Sequence, residues 1–309
     1  MLDFIADWIA FTPIFAVPLV LATLGLIINE RAGVLNLGAE GLMLCGALAS
    51  VAAYLGLGGS PWIGMLAAIL AGFVVAILFA FVVVILRADQ VVTGITIVFF
   101  GTGLTSLLGV PWMNKAVGGF NQIDLGLLSD LPIVGKIVFS QDPMVYLTLP
   151  IIYLVWRFLF HSMTGLRLRA MGENPQAADA AGLDVEFYRF SAVVIGGALV
   201  GAAGGYLALS SAKIWFDDMV QGRGWIAIVL VIFARWMPGR ALFGAVLFGG
   251  IEALIPRIFA AGLPVPQYFV LMTPFLATLF VLVYAAVYTK SSTSAPGALG
   301  LPYVREDRR

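Results

Sequence analysis

Long uncharged runs constrain this chain more than any other feature. Trp8 to Ile28, Pro61 to Leu86, Gln90 to Asn114, Phe190 to Ala212 and Ile258 to Thr289 contain no Asp, Glu, Lys or Arg. A helix needs about 20 residues to cross a hydrocarbon layer, and a backbone inside that layer must satisfy its own hydrogen bonds. Each run is therefore a candidate span. Other apolar stretches are interrupted: Ala32 to Gly56 contains Glu40, and Pro143 to Phe160 contains Arg157. Gly224 to Ala234 and Ala241 to Pro256 read as a pair of short spans around Arg235 and Arg240. Composition agrees, with 61% hydrophobic and 11% charged residues, where soluble domains have roughly 45 to 50% and about 25%. The expected fold is an all-α polytopic membrane helical bundle of about nine transmembrane helices, between roughly eight and ten, counted at membrane-spanning length.

Orientation follows from the basic residues, because short loops rich in Lys and Arg stay on the cytoplasmic side. Placing the carboxyl terminus inside gathers Arg31, Arg87, Arg157, Arg167, Arg169, Arg189, Arg235, Arg240, Lys290, Arg305, Arg308 and Arg309 on one side. Lys115, Lys136, Lys213, Arg223 and Arg257 are left opposite. The amino terminus, with Asp3 and Asp7 and no early base, falls outside and lacks the positive segment of a cleavable signal peptide. A formal net charge of +0 gives no sign of nucleic-acid binding. The single cysteine, Cys45, excludes a disulfide within the chain.

The organisation expected is a transmembrane domain over 1–289, with a cytoplasmic loop at about 161–189, followed by a flexible cytoplasmic tail over 290–309. The tail's Ser, Thr, Pro and Gly cannot bury enough surface to fold alone. Lys115 to Asp142, carrying Asp124 and Asp130, is expected to form an external cap.

Within the cytoplasmic loop the residues specify a short helix. Asn174 suits the N-cap, Pro175 the first helical position, Gln176 to Ala181 the body, and Gly182 a left-handed stop. Asp184 then suits the N-cap of the following span, its charge favourable at the positive end of the helix dipole. Such a helix is either an ordinary loop helix or a knob that fits a partner's groove.

The run Arg169 to Gly182 resembles the R-A-x-G-x-N-x-x-A-A-x-x-x-G loop of bacterial ATP-binding-cassette (ABC) importer permeases for simple sugars, nucleosides and branched-chain amino acids. Glu30 to Gly41 resembles the E-R-x-G-V-x-N-L-G-x-E-G segment of the nucleoside-like branch, and Gly222 to Ala234 and Gly297 to Glu306 match further motifs. The resemblance implies a type II-like permease of the bacterial inner membrane. It implies that Arg169, Gly172, Glu173, Asn174, Pro175, Ala177, Ala178 and Gly182 couple the chain to a cytoplasmic ABC ATPase subunit. It also implies a second permease subunit, often unlike the first, and an extracytoplasmic substrate-binding protein. Expected here is a multi-pass subunit in the lipid bilayer that moves a nucleoside or simple sugar by alternating access.

Residue chemistry points the same way. No G-x-x-x-x-G-K-[ST] run is present, since Gly135 and Lys136 continue into Ile137, so there is no phosphate-cradling loop. ATP and Mg are expected on the partner ATPase, with no cofactor on this chain. His161 has no Cys or His at ligand spacing, and no histidine stands in plausible company with a nucleophile. Neither a metal site nor catalysis is expected.

Candidates for a substrate path are Asn36, Glu40, Thr93, Thr96 and Glu252, because polar groups in spans are costly and mark function. Each has a structural alternative. Glu40, read as sharing a helix face with Asn36, can instead pair with Arg31 or cap a broken helix. Glu252 can bridge to Arg257, and the threonines can bond back to their own helix. Gly197, Gly201 and Gly205 form a small-residue stripe for close helix packing, within the chain or between subunits. Asp217 and Asp218 fit a solvated turn or a contact with the binding protein. The rival classes are an ion-coupled secondary transporter, which needs free acids near the bilayer centre, and a scaffold protein with no transport role.

Overall fold

The structure is a computed structural model and describes residues 2–123, 126, 129, 134–260, 267–288 and 295–304. The expected cap residues Asp124 and Asp130, and Lys290, Arg305, Arg308 and Arg309 of the tail, lie outside the described residues.

The chain folds as an all-α bundle. In order its helices are α1 (Leu2–Arg31), α2 (Ala39–Gly56), α3 (Pro61–Ala80), α4 (Gln90–Gly109), α5 (Pro143–His161), α6 (Met163–Glu173), α7 (Pro175–Ala180), α8 (Val185–Tyr206), α9 (Arg223–Ala234), α10 (Pro238–Ala260) and α11 (Gln267–Tyr288). A π-helical turn extends α3 over Phe81–Ile85, and another extends α8 over Leu207–Ala212.

Local sequence sets the helix starts. The Asp89 side chain accepts from Val92 N to open α4, Asp142 accepts from Met144 N and Val145 N to open α5, and Ser162 accepts from Gly165 N to open α6. Each satisfies N–H groups that a helix start leaves without partners.

Seven helices among the described residues are long and apolar enough to cross a membrane. The reading of Ala241 to Pro256 as a short span is corrected, since α10 has 23 residues and runs through Pro256 and Arg257. The companion reading holds: α9 has only 12 residues, half a crossing.

Helix α8 is the axis of the bundle, packed by α1, α2 and α3. Close approach is what its small residues allow. A Cβ at Gly201 would lie 2.5 Å from the Ala68 carbonyl oxygen and 2.6 Å from Gly72 Cα. One at Gly197 would strike the Ala76 side chain, and one at Gly205 the Ala68 side chain. The stripe thus packs within the chain, against α3. By contrast α4, α10 and α11 turn large apolar side chains outward, with Phe99, Phe243 and Phe280 all more than two-thirds exposed. In a bilayer such faces meet lipid or another subunit.

The tail is corrected over 295–304. Instead of hanging free it lies on the α6–α7 end, where Ala298 N donates to Gly172 O at 2.8 Å and Gly300 N to Gly33 O at 3.2 Å. Backbone hydrogen bonds supply what its composition lacks in buried area.

Candidate functional site

Helix α7, with six residues, is short and well marked by its sequence. Asn174 Oδ1 accepts from Ala177 N at 2.9 Å, and Pro175 takes the first helical position. The helix stops at Gly182, whose φ of +80° is left-handed, with Leu183 N donating to Ala178 O at 3.1 Å. Asp184 Oδ1 then accepts from Phe187 N at 2.9 Å and opens α8.

Seven of the eight residues expected to contact an ATPase divide into an exposed and a buried set. Glu173, Asn174, Ala177 and Gly182 are exposed, and Gly172, Pro175 and Ala178 are buried. The buried set holds α6 and α7 to the body: a Cβ at Gly172 would strike the Arg31 carbonyl, and Ala178 joins Met171, Val185 and Tyr303 in a small apolar cluster. Arg169 is half-buried, its guanidinium 4.9 Å from the centre of the Phe160 ring, with Arg31 at 5.5 Å from the same ring. It clamps α6 onto the end of α5.

A second constellation lies inside the bundle, around the start of α9. The carboxylate of Glu40 accepts from Gly222 N and Gly224 N, both at 2.7 Å. It therefore fills the amino-terminal end of the half-length helix, where unpaired N–H groups and the helix dipole favour an anion. Of the readings open for Glu40, capping of a broken helix is the one the geometry displays. Arg31 instead directs its guanidinium to Trp236 O, and Glu30 Oε2 accepts from Trp236 Nε1 at 2.6 Å.

Glu252 requires a correction. Its partner is Arg223, with Nε 2.8 Å from Oε2, while Arg257 stacks 4.9 Å from the Phe11 ring centre and lies 3.9 Å from Asp7. One helical turn of α10 separates Glu252 from Arg257, but α9 brings Arg223 closer. Asn36 is corrected too. It does not share a helix face with Glu40, because α2 begins at Ala39 and residues 34–36 belong to no helix. Its Oδ1 accepts from Gly38 N at 2.9 Å, and its buried Nδ2 finds no partner among the described residues.

Thr93 and Thr96 bond back to Asp89 O and Val92 O, at 2.6 and 2.8 Å. Thr93 is buried and Thr96 exposed on α4. The five path candidates thus do not line one channel within this chain. Glu40 and Glu252 flank the start of α9, Asn36 lies in the break before α2, and the threonines sit on α4.

At the end of the bundle opposite α7, a cavity of about 840 Å³ opens between α1, the π-helical end of α8 and α10. Its polar wall combines Asn121, Gln122, Asp142, Ser210 and Ser211 with the basic residues Lys213 and Arg257. Burial pushes the Asp142 carboxyl above the usual carboxylate range, opposed by the Tyr206 hydroxyl, which donates to Oδ2 at 2.6 Å, and by two backbone N–H groups of α5.

Sequence reasoning missed Arg223, Tyr206, Arg189 and Tyr303 as parts of these sites. Only Arg223 carried a local signal, as a lone base opening a short apolar run.

A helical bundle with seven spanning-length helices, a half-length helix capped inside it and a capped helix projecting from one end defines a multi-pass membrane permease body. The chain belongs to the family described as branched-chain amino acid transport system permease components, whose model matches residues 9–287. It is a permease subunit of an ABC importer, a non-enzymatic membrane component that works with an ATPase and a substrate-binding protein.

Similar curated proteins include a glucose ABC transporter permease candidate of Haloferax volcanii, 39% identical over 99% of each chain. The guanosine ABC transporter permease of Bacillus subtilis is 34% identical over 96% of each. The nucleoside ABC transporter permease of Lactococcus lactis is 33% identical over 94% of this chain and 95% of its own. Among solved structures, an inward-facing ABC transporter of metal-chelate type matches with a TM-score of 0.53 at 17% identity. It covers 89% of this chain and 86% of that one, a likeness of fold.

Proposed function

We propose that this subunit moves a small uncharged polar solute, a nucleoside or a simple sugar, into the cytoplasm by alternating access. The observation that carries this reading is Glu40. In a membrane transporter the amino-terminal end of a broken helix is where an anionic substrate group would dock. Here that end is already filled by the chain's own carboxylate. Arg223 and Glu252 likewise satisfy each other. A site with its charges internally matched favours a neutral solute over the zwitterion of a branched-chain amino acid, and offers no free acid for ion coupling. The names of the guanosine, nucleoside and glucose relatives support the same class.

In this reading α7 faces the cytoplasm, as do the carboxyl terminus and the exposed residues Glu173, Asn174, Ala177 and Gly182. An ATPase subunit holds ATP and Mg and displaces α7, and this chain contributes no nucleotide site. A second, unlike permease subunit covers one of the exposed apolar faces and completes the path. Thr96, outward on α4, is the path candidate placed to face such a partner.

Reconstitution of the whole transporter in proteoliposomes, with its ATPase and binding protein, tests the proposal. ATP-dependent uptake of guanosine or glucose is expected, unaffected by excess leucine. Uptake of leucine with no transport of nucleoside or sugar overturns the substrate class.

A further inference from the structure

The carboxyl-terminal segment 295–304 does more than end the chain. It crosses the α6–α7 end as a strap with three anchors. Gly297 N donates to Glu173 Oε2 at 3.2 Å and Ala298 N to Gly172 O at 2.8 Å, which ties it to the last turn of α6. Gly300, at a φ of +78°, turns the strap so that its N–H reaches Gly33 O in the break after α1. Leu301 O accepts from Arg189 Nη1 at 3.0 Å.

Arg189 explains why the third anchor matters. It lies in the first turns of α8, is 3% exposed, and pairs with no carboxylate among the described residues. Its charge is met by carbonyl oxygens, Leu301 O of the strap and Met171 O at 3.5 Å near the carboxyl end of α6, where the helix dipole favours a cation. Without the strap a buried guanidinium loses its shortest hydrogen bond, a loss far costlier than that of a solvated one. Beyond Leu301, Tyr303 inserts its ring among Met171 of α6, Ala178 of α7 and Val185 of α8. One side chain thus touches the helix that ends before α7, α7 itself, and the helix that leaves it.

We propose that the strap, through Tyr303 and Arg189, is a positioning element that makes α6, α7 and α8 move as one body, so that displacement of α7 reaches the central helix instead of being absorbed in the loop at 181–184. The proposal rests on α7 being the coupling helix. Coupling across a molecule is carried by packed elements that shift together. In the loop itself Leu183 is half-buried against this cluster while Ala181, Gly182 and Asp184 are exposed, so Tyr303 completes the packing that ties α7 to α8.

The test uses the complete transporter in proteoliposomes, reading ATPase assembly, ATP hydrolysis and uptake of guanosine or glucose, whichever the wild type carries. Tyr303→Ala is expected to assemble and hydrolyse ATP, while uptake per ATP falls about tenfold, within the reach of substitutions along a coupling route. Tyr303→Phe, which keeps the ring, is expected to restore that ratio. Equal losses of uptake and hydrolysis, or an unchanged ratio in Tyr303→Ala, overturn the proposal.

A second arm does not depend on tolerance of the alanine. Tyr303→Leu keeps an apolar side chain among Met171, Ala178 and Val185 and is expected to retain most of the wild-type uptake per ATP. A ratio in Tyr303→Leu as low as that expected for Tyr303→Ala means that packing at this position does not carry the motion, which overturns the proposal. Ala177→Trp, on the exposed side of α7, separates the two claims. Should it leave ATPase assembly intact, the coupling-helix reading fails, and the strap fails only on its own ratio.

Discussion

Helices α8 and α4 are similar in sequence character, both apolar, glycine-bearing and of spanning length, yet they occupy opposite environments. In the most apolar stretch of each, 83% of the α8 span is buried and 28% of the α4 span. Hydropathy does not separate them, because lipid and protein interior are equally apolar. Size does. Gly196, Gly197, Gly201, Gly204 and Gly205 let α1, α2 and α3 approach the α8 backbone, whereas Phe99 and Leu107 project from α4 into space this chain does not fill. In a membrane protein the interior is marked by small residues and by polar groups with partners.

Enlarging α8 is expected to have the largest effect. Gly201→Val is expected to cost about 3 kcal/mol or more, because the new methyls meet backbone that cannot yield. The measure is the loss of monodisperse protein after heating in detergent. Phe99→Ala on α4, an exposed position, is expected to stay within about 0.5 kcal/mol for the isolated subunit. A larger cost seen only in the assembled transporter identifies α4 as the face that meets the second permease.

A smaller effect is expected inside the bundle. Glu40→Gln keeps one acceptor for the α9 N–H groups and loses the charge at the helix start, at about 1 to 2 kcal/mol. Glu40→Ala leaves both Gly222 N and Gly224 N without an acceptor and is expected to be worse by a further 1 kcal/mol or so. Stability equal to wild type in both variants refutes the capping role, and can be followed by unfolding in denaturing detergent.

The smallest effect belongs to Thr96→Val. Among the described residues its hydroxyl bonds to Val92 O alone, and the expected change in stability is below about 0.5 kcal/mol. A clear rise in KM for uptake despite unchanged stability places Thr96 on the path.

How much of this was legible in the sequence depends on the range of the interaction. Asn174, Pro175 and Gly182 specify α7 because a cap, a start and a stop act within a few residues, and the structure repeats them. The threonines bond back across one turn for the same reason. Glu40 and Gly224 are 184 positions apart. Nothing local announces that the acid opening α2 closes the end of α9, so capping stood level with pairing to Arg31. For Glu252 the alternative to a path role was a bridge to Arg257, its neighbour in sequence, whereas the base that reaches it is Arg223 on a different helix. Composition pointed to a flexible tail, while over 295–304 backbone bonds to Gly33 and Gly172 and the burial of Tyr303 hold the chain against the bundle.

The most direct test concerns α7. A photo-crosslinking residue at position 177, on the exposed side of that helix, should be illuminated in membranes holding the complete transporter. A covalent adduct with the ATPase subunit, lost when the ATPase is omitted, is the expected result. Adducts with the substrate-binding protein, or with lipid alone, would contradict the account.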